Sequence, residues 1–186
     1  MKKKIAILLY KYFPYGGLQK DFLAIAKELL SRGHELKVFT RSWEGIIPES
    51  LDVIQLGEAG FTNHSKNKKF VKKVFDEIHK YSPDIIFGFN KIPGLDLYFA
   101  ADTCFAKQAH NKSSLQKYTK RYKQSLDYEN HVFSKESNTQ ILLLNKNQYD
   151  DFKAIYSTQS ERMTIIPPGI DSNWNHEEDI NLHNLL

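Results

Sequence analysis

The first forty residues constrain this chain more than any other stretch, because they spell a strand, a helix and a second strand in unbroken order. Ile5-Ala6-Ile7-Leu8-Leu9-Tyr10 is apolar throughout, which suits a strand covered on both faces. Pro14-Tyr15-Gly16-Gly17 is turn chemistry. Leu18, Phe22, Ile25, Ala26, Leu29 and Leu30 then recur at helical spacing, and Gly33 stands where a helix ends on a left-handed residue. Leu36 to Thr40 supplies the next strand. Strand, helix and strand in this order make a βαβ unit with parallel strands. The expected fold class is therefore α/β, a mostly parallel sheet flanked by helices.

The alternation continues along the chain. Trp43 to Ser50 reads as a loop, and Leu51 to Leu56 as a third strand. Phe70, Val71, Val74, Phe75, Ile78 and Tyr81 mark a helix, which Ser82-Pro83-Asp84 breaks. Ile85 to Phe89 is a buried strand, Asn90 to Gly94 a loop, and Leu95 to Ala101 another strand. One long helix is expected from Ser113 to Phe133, a strand from Thr139 to Leu144, and a short helix from Asn147 to Tyr156. Met163 to Ile166 is the last strand, closed by Pro167-Pro168-Gly169. From Asp171 to Leu186 there are acids but no Lys or Arg, and a helical pattern starts at Ile180 without reaching a cap, as where a further domain follows.

A length of 186 residues suits one domain, and 41% hydrophobic with 26% charged residues excludes wholesale disorder. The lone cysteine, Cys104, excludes an intramolecular disulfide framework and a Cys-rich zinc site, and points to a reducing compartment. No apolar run approaches the ~18 residues of a membrane span. The lysines before Ile5 imitate a signal peptide, but Lys11 and the turn cut the apolar region short and no cleavage site follows. A cytoplasmic chain is expected.

Gly16 and Gly17 stand between the first strand and the first helix, where glycine lets a ligand approach the backbone and helix N–H groups face an anion. The alternative is a tight turn without a ligand, since the spacing is neither a dinucleotide fingerprint nor a phosphate loop. Asp21 is placed in the first helical turn, either as a carboxylate at the positive end of the helix dipole or facing the same crevice. Asn90 and Lys91 follow a buried strand's carboxyl end, where α/β folds bind ligands; the alternative is a solvated loop. Asp102 follows the next strand in the same way, with an N-cap for the coming helix as its alternative. His64 is either a contact to an anionic acceptor or a surface-loop histidine.

Two stretches are basic and contain no acid. Residues 61–75 carry Lys66, Lys68, Lys69, Lys72 and Lys73; residues 103–126 carry Lys107, Lys112, Lys117, Lys120, Arg121 and Lys123. On the expected long helix, Leu115, Tyr118, Tyr122, Leu126 and Phe133 share one face, with Lys117, Lys120 and Arg121 opposite. Such a helix suits an anionic membrane surface, at roughly 1 kcal/mol per Lys or Arg held near it. Lys112, Lys117, Lys120, Arg121 and Lys123 are the membrane-binding candidates. The plainer reading packs the Tyr/Leu face into the core and leaves a solvated basic back. RNA is a third fit for such segments, but nucleic acid is not among the expected partners.

Tyr10-Lys11-Tyr12-Phe13-Pro14-Tyr15-Gly16-Gly17-Leu18-Gln19-Lys20-Asp21 resembles the N-terminal half of the lipopolysaccharide core glucosyltransferase I family, within glycosyltransferase family 4. The resemblance continues in Arg32-Gly33-His34, Ser42 to Gly45, Thr62 to His64, Gly88 to Asp96, Tyr98 to Asp102 and Ile166 to Ile170, and so covers nearly the whole chain to Ile170. It implies two Rossmann-like domains facing a cleft, the GT-B arrangement. Residues 1–170 would be the acceptor-binding domain, and 171–186 a linker and the start of a C-terminal donor domain that this chain lacks. The family transfers glucose from UDP-glucose to an inner-core heptose of lipopolysaccharide, with retention and with no metal or other cofactor. The resemblance sets Gly16 and Gly17 against the donor diphosphate, Asp21 in the crevice between donor sugar and acceptor, and Asp102 where it would orient the acceptor hydroxyl or share its proton. His64, Asn90 and Lys91 would face the acceptor. One departure is Asp171 to His176, which has no Arg or Lys where the family carries one soon after Pro-Pro-Gly-Ile. The expected partners are a lipopolysaccharide inner-core acceptor and the anionic surface of the inner membrane, to which the protein would bind peripherally. Without a donor domain the chain is expected to be nearly inactive. The second reading is a non-catalytic module that binds anionic membrane or the lipopolysaccharide core.

Overall fold

In the computed structural model, which describes residues 1–109 and 114–166, the apolar run at the N-terminus is the middle of β1 (Lys4–Tyr12). Its side chains alternate between two cores. Ile5, Ile7 and Leu9 belong to one, Ala6 and Leu8 to the other, and all five are buried. Both faces are covered, which is why the run shows no polar alternation.

α1 (Gly17–Ser31) lays Phe22 and Ala26 on the first of these faces. It ends in a complete Schellman motif: Gly33, at φ 83°, donates to the Leu30 carbonyl, and His34 donates to that of Leu29. The chain then enters β2 (Glu35–Trp43) and β3 (Asp52–Gln55). β2 runs beyond the expected Thr40 because Trp43 pairs with Tyr12 and stacks on its ring, with centroids 3.8 Å apart. α2 (Asn63–Tyr81) begins in a capping box between Thr62 and Ser65 and buries Phe70, Val74 and Ile78 on the second face.

β4 (Ile85–Gly88) and β5 (Leu97–Ala100) follow, joined by a loop. Then come α3 (Phe105–Ala109), α4 (Ser114–Lys117), α5 (Lys120–Phe133), β6 (Gln140–Leu143), α6 (Lys146–Tyr156) and β7 (Met163–Ile165). Every strand pairing is parallel, and the order is β3-β2-β1-β4-β5-β6-β7. The expected fold class holds. The order reverses between β1 and β4, so a crevice opens at the carboxyl ends of those two strands.

The single long helix expected from Ser113 to Phe133 is not found. Thr119 is extended (φ −69°, ψ 146°), and its hydroxyl accepts from the Tyr122 N–H, starting α5 afresh. This break removes the shared apolar face. Leu115 and Tyr118 are 85% and 76% exposed, and the buried side of α5 is Glu129, Val132 and Phe133. Lys112, Pro167-Pro168-Gly169, the proposed boundary at residue 170 and the acidic stretch from Asp171 lie outside the described residues.

Candidate functional site

At the switch point lies a cavity of about 350 Å3. Tyr10, from the end of β1, and Asn90 with Lys91, just past β4, form one side. Asp102 and Thr103 arrive from the loop after β5. Asn67 of α2 and Gln124, Ser125 and Tyr128 of α5 close the flanks. Asn90 is fixed by a 2.7 Å bond from the Tyr10 N–H to its Oδ1, which ties the loop after β4 to β1 across the reversal of strand order.

Beneath the cavity sits Glu129, fully buried on α5. Its carboxylate accepts from the Phe105 and Ala106 N–H groups at 2.8 and 2.9 Å, and from the Tyr156 hydroxyl at 2.8 Å. The Lys91 ammonium pairs with it and also donates to the Thr103 carbonyl at 2.9 Å. Glu129 therefore caps α3 from a distant helix. Asp102 leaves that role aside: its carboxylate has no hydrogen-bond or ion-pair partner among the described residues, and it is exposed at the cavity. Cys104, buried beside Glu129, has its thiol pushed up to about 11 by burial. The Tyr98 hydroxyl lies buried without a partner among the described residues, and burial together with the Asp102 and Glu129 charges holds its proton firmly.

A second buried charge stands under the α2 side. Arg41 of β2, 5% exposed, donates to the Tyr10 carbonyl at 3.4 Å and to Asn67 Oδ1 at 2.6 Å. Its guanidinium lies 5.3 Å from the Tyr10 ring centroid. Glu58 draws Arg41, Lys11 and Lys66 together, and hydrogen bonds from the two lysines hold its carboxyl at about 2.

Asn90, Lys91 and Asp102, expected from sequence, thus share one cavity. Lys91 is there with its ammonium engaged by Glu129 and Thr103, a partnership the loop reading missed. Gly16 and Gly17 also lie at the carboxyl edge, after β1, but α1 packs on the other face of the sheet. A Cβ on Gly16 would meet the Gln19 carboxamide at 1.8 Å and the Phe13 ring at 2.8 Å, so a side chain there would displace Gln19 from its bond to the Lys11 carbonyl. A Cβ on Gly17 would meet nothing within 4 Å, and its φ lies outside the left-handed region, so the fold itself makes no demand for glycine there. Asp21 belongs to the second turn of α1, not the first; it is half-buried, and burial raises its carboxyl. His64 is not on a loop. It occupies the first turn of α2 with Nδ1 2.9 Å from Thr62 Oγ1, and Asn67, one turn further, is the α2 residue that reaches the cavity. Lys120, Arg121 and Lys123 are exposed near the start of α5 and Lys117 is half-buried, with Lys123 Nζ 6.0 Å from the Tyr118 ring centroid. Among the described residues no helix is long and apolar enough to cross a membrane.

A parallel sheet that reverses its order under a polar crevice is a Rossmann-like fold, the class in which ligands bind at such a switch point. The chain belongs to glycosyltransferase family 4, whose sequence pattern matches residues 15–174. It is 41% identical over 177 residues to the lipopolysaccharide glucosyltransferase WaaG of Escherichia coli strain K12, covering 95% of this chain and 47% of that protein. The crystal structure of WaaG, a glycosyltransferase involved in lipopolysaccharide biosynthesis, superposes with a TM-score of 0.88 over 90% of this chain and 46% of its own. A glycosyltransferase from Rickettsia africae ESF-5, 14% identical with a TM-score of 0.56, shares the fold. The chain spans about half the length of these relatives and corresponds to the N-terminal part of WaaG, so its architecture is the N-terminal half of a GT-B glycosyltransferase.

Proposed function

We propose that this chain is the acceptor-binding half of a lipopolysaccharide core glucosyltransferase. It would serve transfer of glucose from UDP-glucose to an inner-core heptose with retention and without a metal. The observation that carries this reading is the Asp102 carboxylate, without a partner among the described residues, at a cavity lined by amide and hydroxyl groups. A carboxylate so placed accepts a hydrogen bond from a sugar hydroxyl, orients its oxygen and stabilises the positive charge that develops as it attacks. Glu129, by capping α3, keeps the Asp102–Thr103 loop in place for that contact. The open approach to Gly17 suits the donor diphosphate, which would meet backbone N–H groups at the start of α1. Asp21, on the same helix, would face the donor sugar. Residues after Ile170 would lead into the donor domain.

We further propose that the protein works at the anionic face of the inner membrane. Leu115 and Tyr118, exposed beside Lys117, Lys120, Arg121 and Lys123, support this reading and also the non-catalytic alternative. Turnover separates the two. The intact protein should transfer glucose from UDP-glucose to a heptose-terminated core, and Asp102→Asn should lower kcat by about 100-fold at an unchanged melting temperature. Binding of the core without transfer by the intact protein would favour the non-catalytic module. A fully active Asp102→Asn would remove this carboxylate from the reaction.

A further inference from the structure

A carboxamide offers a ligand either a donor or an acceptor, depending on which end the protein already holds. Two asparagines line the cavity, and each is held by its oxygen. Asn67 Oδ1 lies 2.6 Å from Arg41 Nη1, and a guanidinium can only donate. Arg41 cannot swing away: its side chain is 4% exposed and is engaged by the Tyr10 carbonyl and, at 3.6 Å, by Glu58. Asn90 Oδ1 lies 2.7 Å from the Tyr10 backbone N–H, which is also a donor only. Turning either amide over would set N–H against N–H. The ends left for a ligand are therefore the two Nδ2 groups, and neither has a protein partner among the described residues.

We propose that Asn67 and Asn90 are specificity-determining donors, whose N–H groups grip two oxygens of the acceptor sugar flanking the hydroxyl taken by Asp102. This rests on the reading of the cavity as the acceptor site. Asp102 is acceptor-only and the two amides are donor-only, so the site matches a hydroxyl that donates, set between oxygens that accept. An amino group in either flanking position would place donor against donor, and the site rejects it. Arg41 is a positioning residue: it touches no substrate, and fixes which end of Asn67 faces outward.

The test uses the intact protein, UDP-glucose and a heptose-terminated core oligosaccharide. Asn67→Asp and Asn90→Asp keep the shape and the held oxygen but lose the donor. Each should raise the acceptor KM about tenfold or more, leaving the donor KM and the melting temperature unchanged. Arg41→Met should raise the acceptor KM with Asn67 still present, and Arg41→Lys, which restores a donor to Oδ1, should recover it. Independently, 15N-asparagine labelling follows the side-chain resonances of Asn67 and Asn90, assigned by through-bond correlation. Both should shift when the oligosaccharide alone is added. Shifts without transfer would refute the glucosyl reading and leave this inference standing. Resonances that stay still overturn it whether or not transfer occurs, as does an unchanged acceptor KM in both Asp variants.

Discussion

Replacing Glu129 tests whether one buried carboxylate holds the floor of the cavity. Glu129 is fully buried, and Lys91 beside it is 11% exposed at its side chain. Truncation to Ala would leave an ammonium nearly buried without its counter-ion and two N–H groups, of Phe105 and Ala106, without their acceptor. Removing one partner of a buried pair costs about 3–5 kcal/mol. Lys91 can reach water by a short rotation and α3 can fray, so the orphaned N–H groups do not add in full. At ~2–4 °C per kcal/mol for a chain of this size, the melting temperature should fall by roughly 6–20 °C. Glu129→Gln sharpens the test, because it preserves volume and one acceptor oxygen. Its amide N–H2 then opposes a donor, and about 2–4 kcal/mol should still be lost. Lys91→Met leaves the carboxylate with its remaining donors and should cost less. In the double variant Glu129→Gln/Lys91→Met the charge mismatch is gone, so the two effects should fall short of additivity by ~1–3 kcal/mol. Differential scanning calorimetry at pH 7 reads all four variants beside the wild type. A Glu129→Gln protein melting within about 2 °C of wild type would refute the role of Glu129 in holding the cavity floor, and strict additivity would refute the pairing with Lys91.

Three further outcomes are expected. Glu58 titrates at about 2 folded against 4.5 unfolded, so its contribution is present above pH 4.5 and is lost as pH falls toward 2. Glu58→Gln should therefore cost up to about 1 kcal/mol at pH 7 and only a small fraction of that at pH 2, and equal losses at both values in urea titrations would discount the lysine bonds as the cause. The Cys104 thiol, buried and raised to about 11, should resist a disulfide reagent at pH 8 until the protein is unfolded; rapid native labelling would contradict its burial. Reversing Lys117, Lys120, Arg121 and Lys123 to glutamate should reduce cosedimentation with anionic vesicles, as should raising salt, while equal binding to zwitterionic vesicles would reduce the segment to a solvated face.

The sheet was legible because strands covered on both faces carry their burial openly: Ile5 to Tyr10 and Ile85 to Phe89 have no polar residue to misplace. Asn90 and Asp102 were legible for a related reason, since a residue just past a parallel strand sits at the rim wherever the helices lie. The break at Thr119 was missed because a periodic pattern runs straight through it. A threonine hydroxyl starts a new helix there by accepting from the Tyr122 N–H, and spacing alone does not weigh that competition. Asn67 was hidden among the lysines of α2, where polar residues mark a solvated face by default.

Arg41 and Glu129 were missed for a deeper reason, which also explains what they do. A sequence assigns charge to the surface because an isolated buried charge is prohibitive, and the exceptions are groups whose partners come from elsewhere in the fold. Those partners are the carbonyl of Tyr10, the amide of Asn67, the N–H groups of Phe105 and Ala106 and the ammonium of Lys91. They lie from 23 to 38 residues away along the chain, so no local motif can contain the arrangement. Both charges sit directly under the cavity and hold residues that line it. A neutral residue at either position would leave these partners unpaired and would fix no polarity: Asn67 would be free to turn, and the loop bearing Asp102 would lose its anchor. The ligand-facing groups follow from strand order, and their orientation follows from two charges that burial forces to find partners.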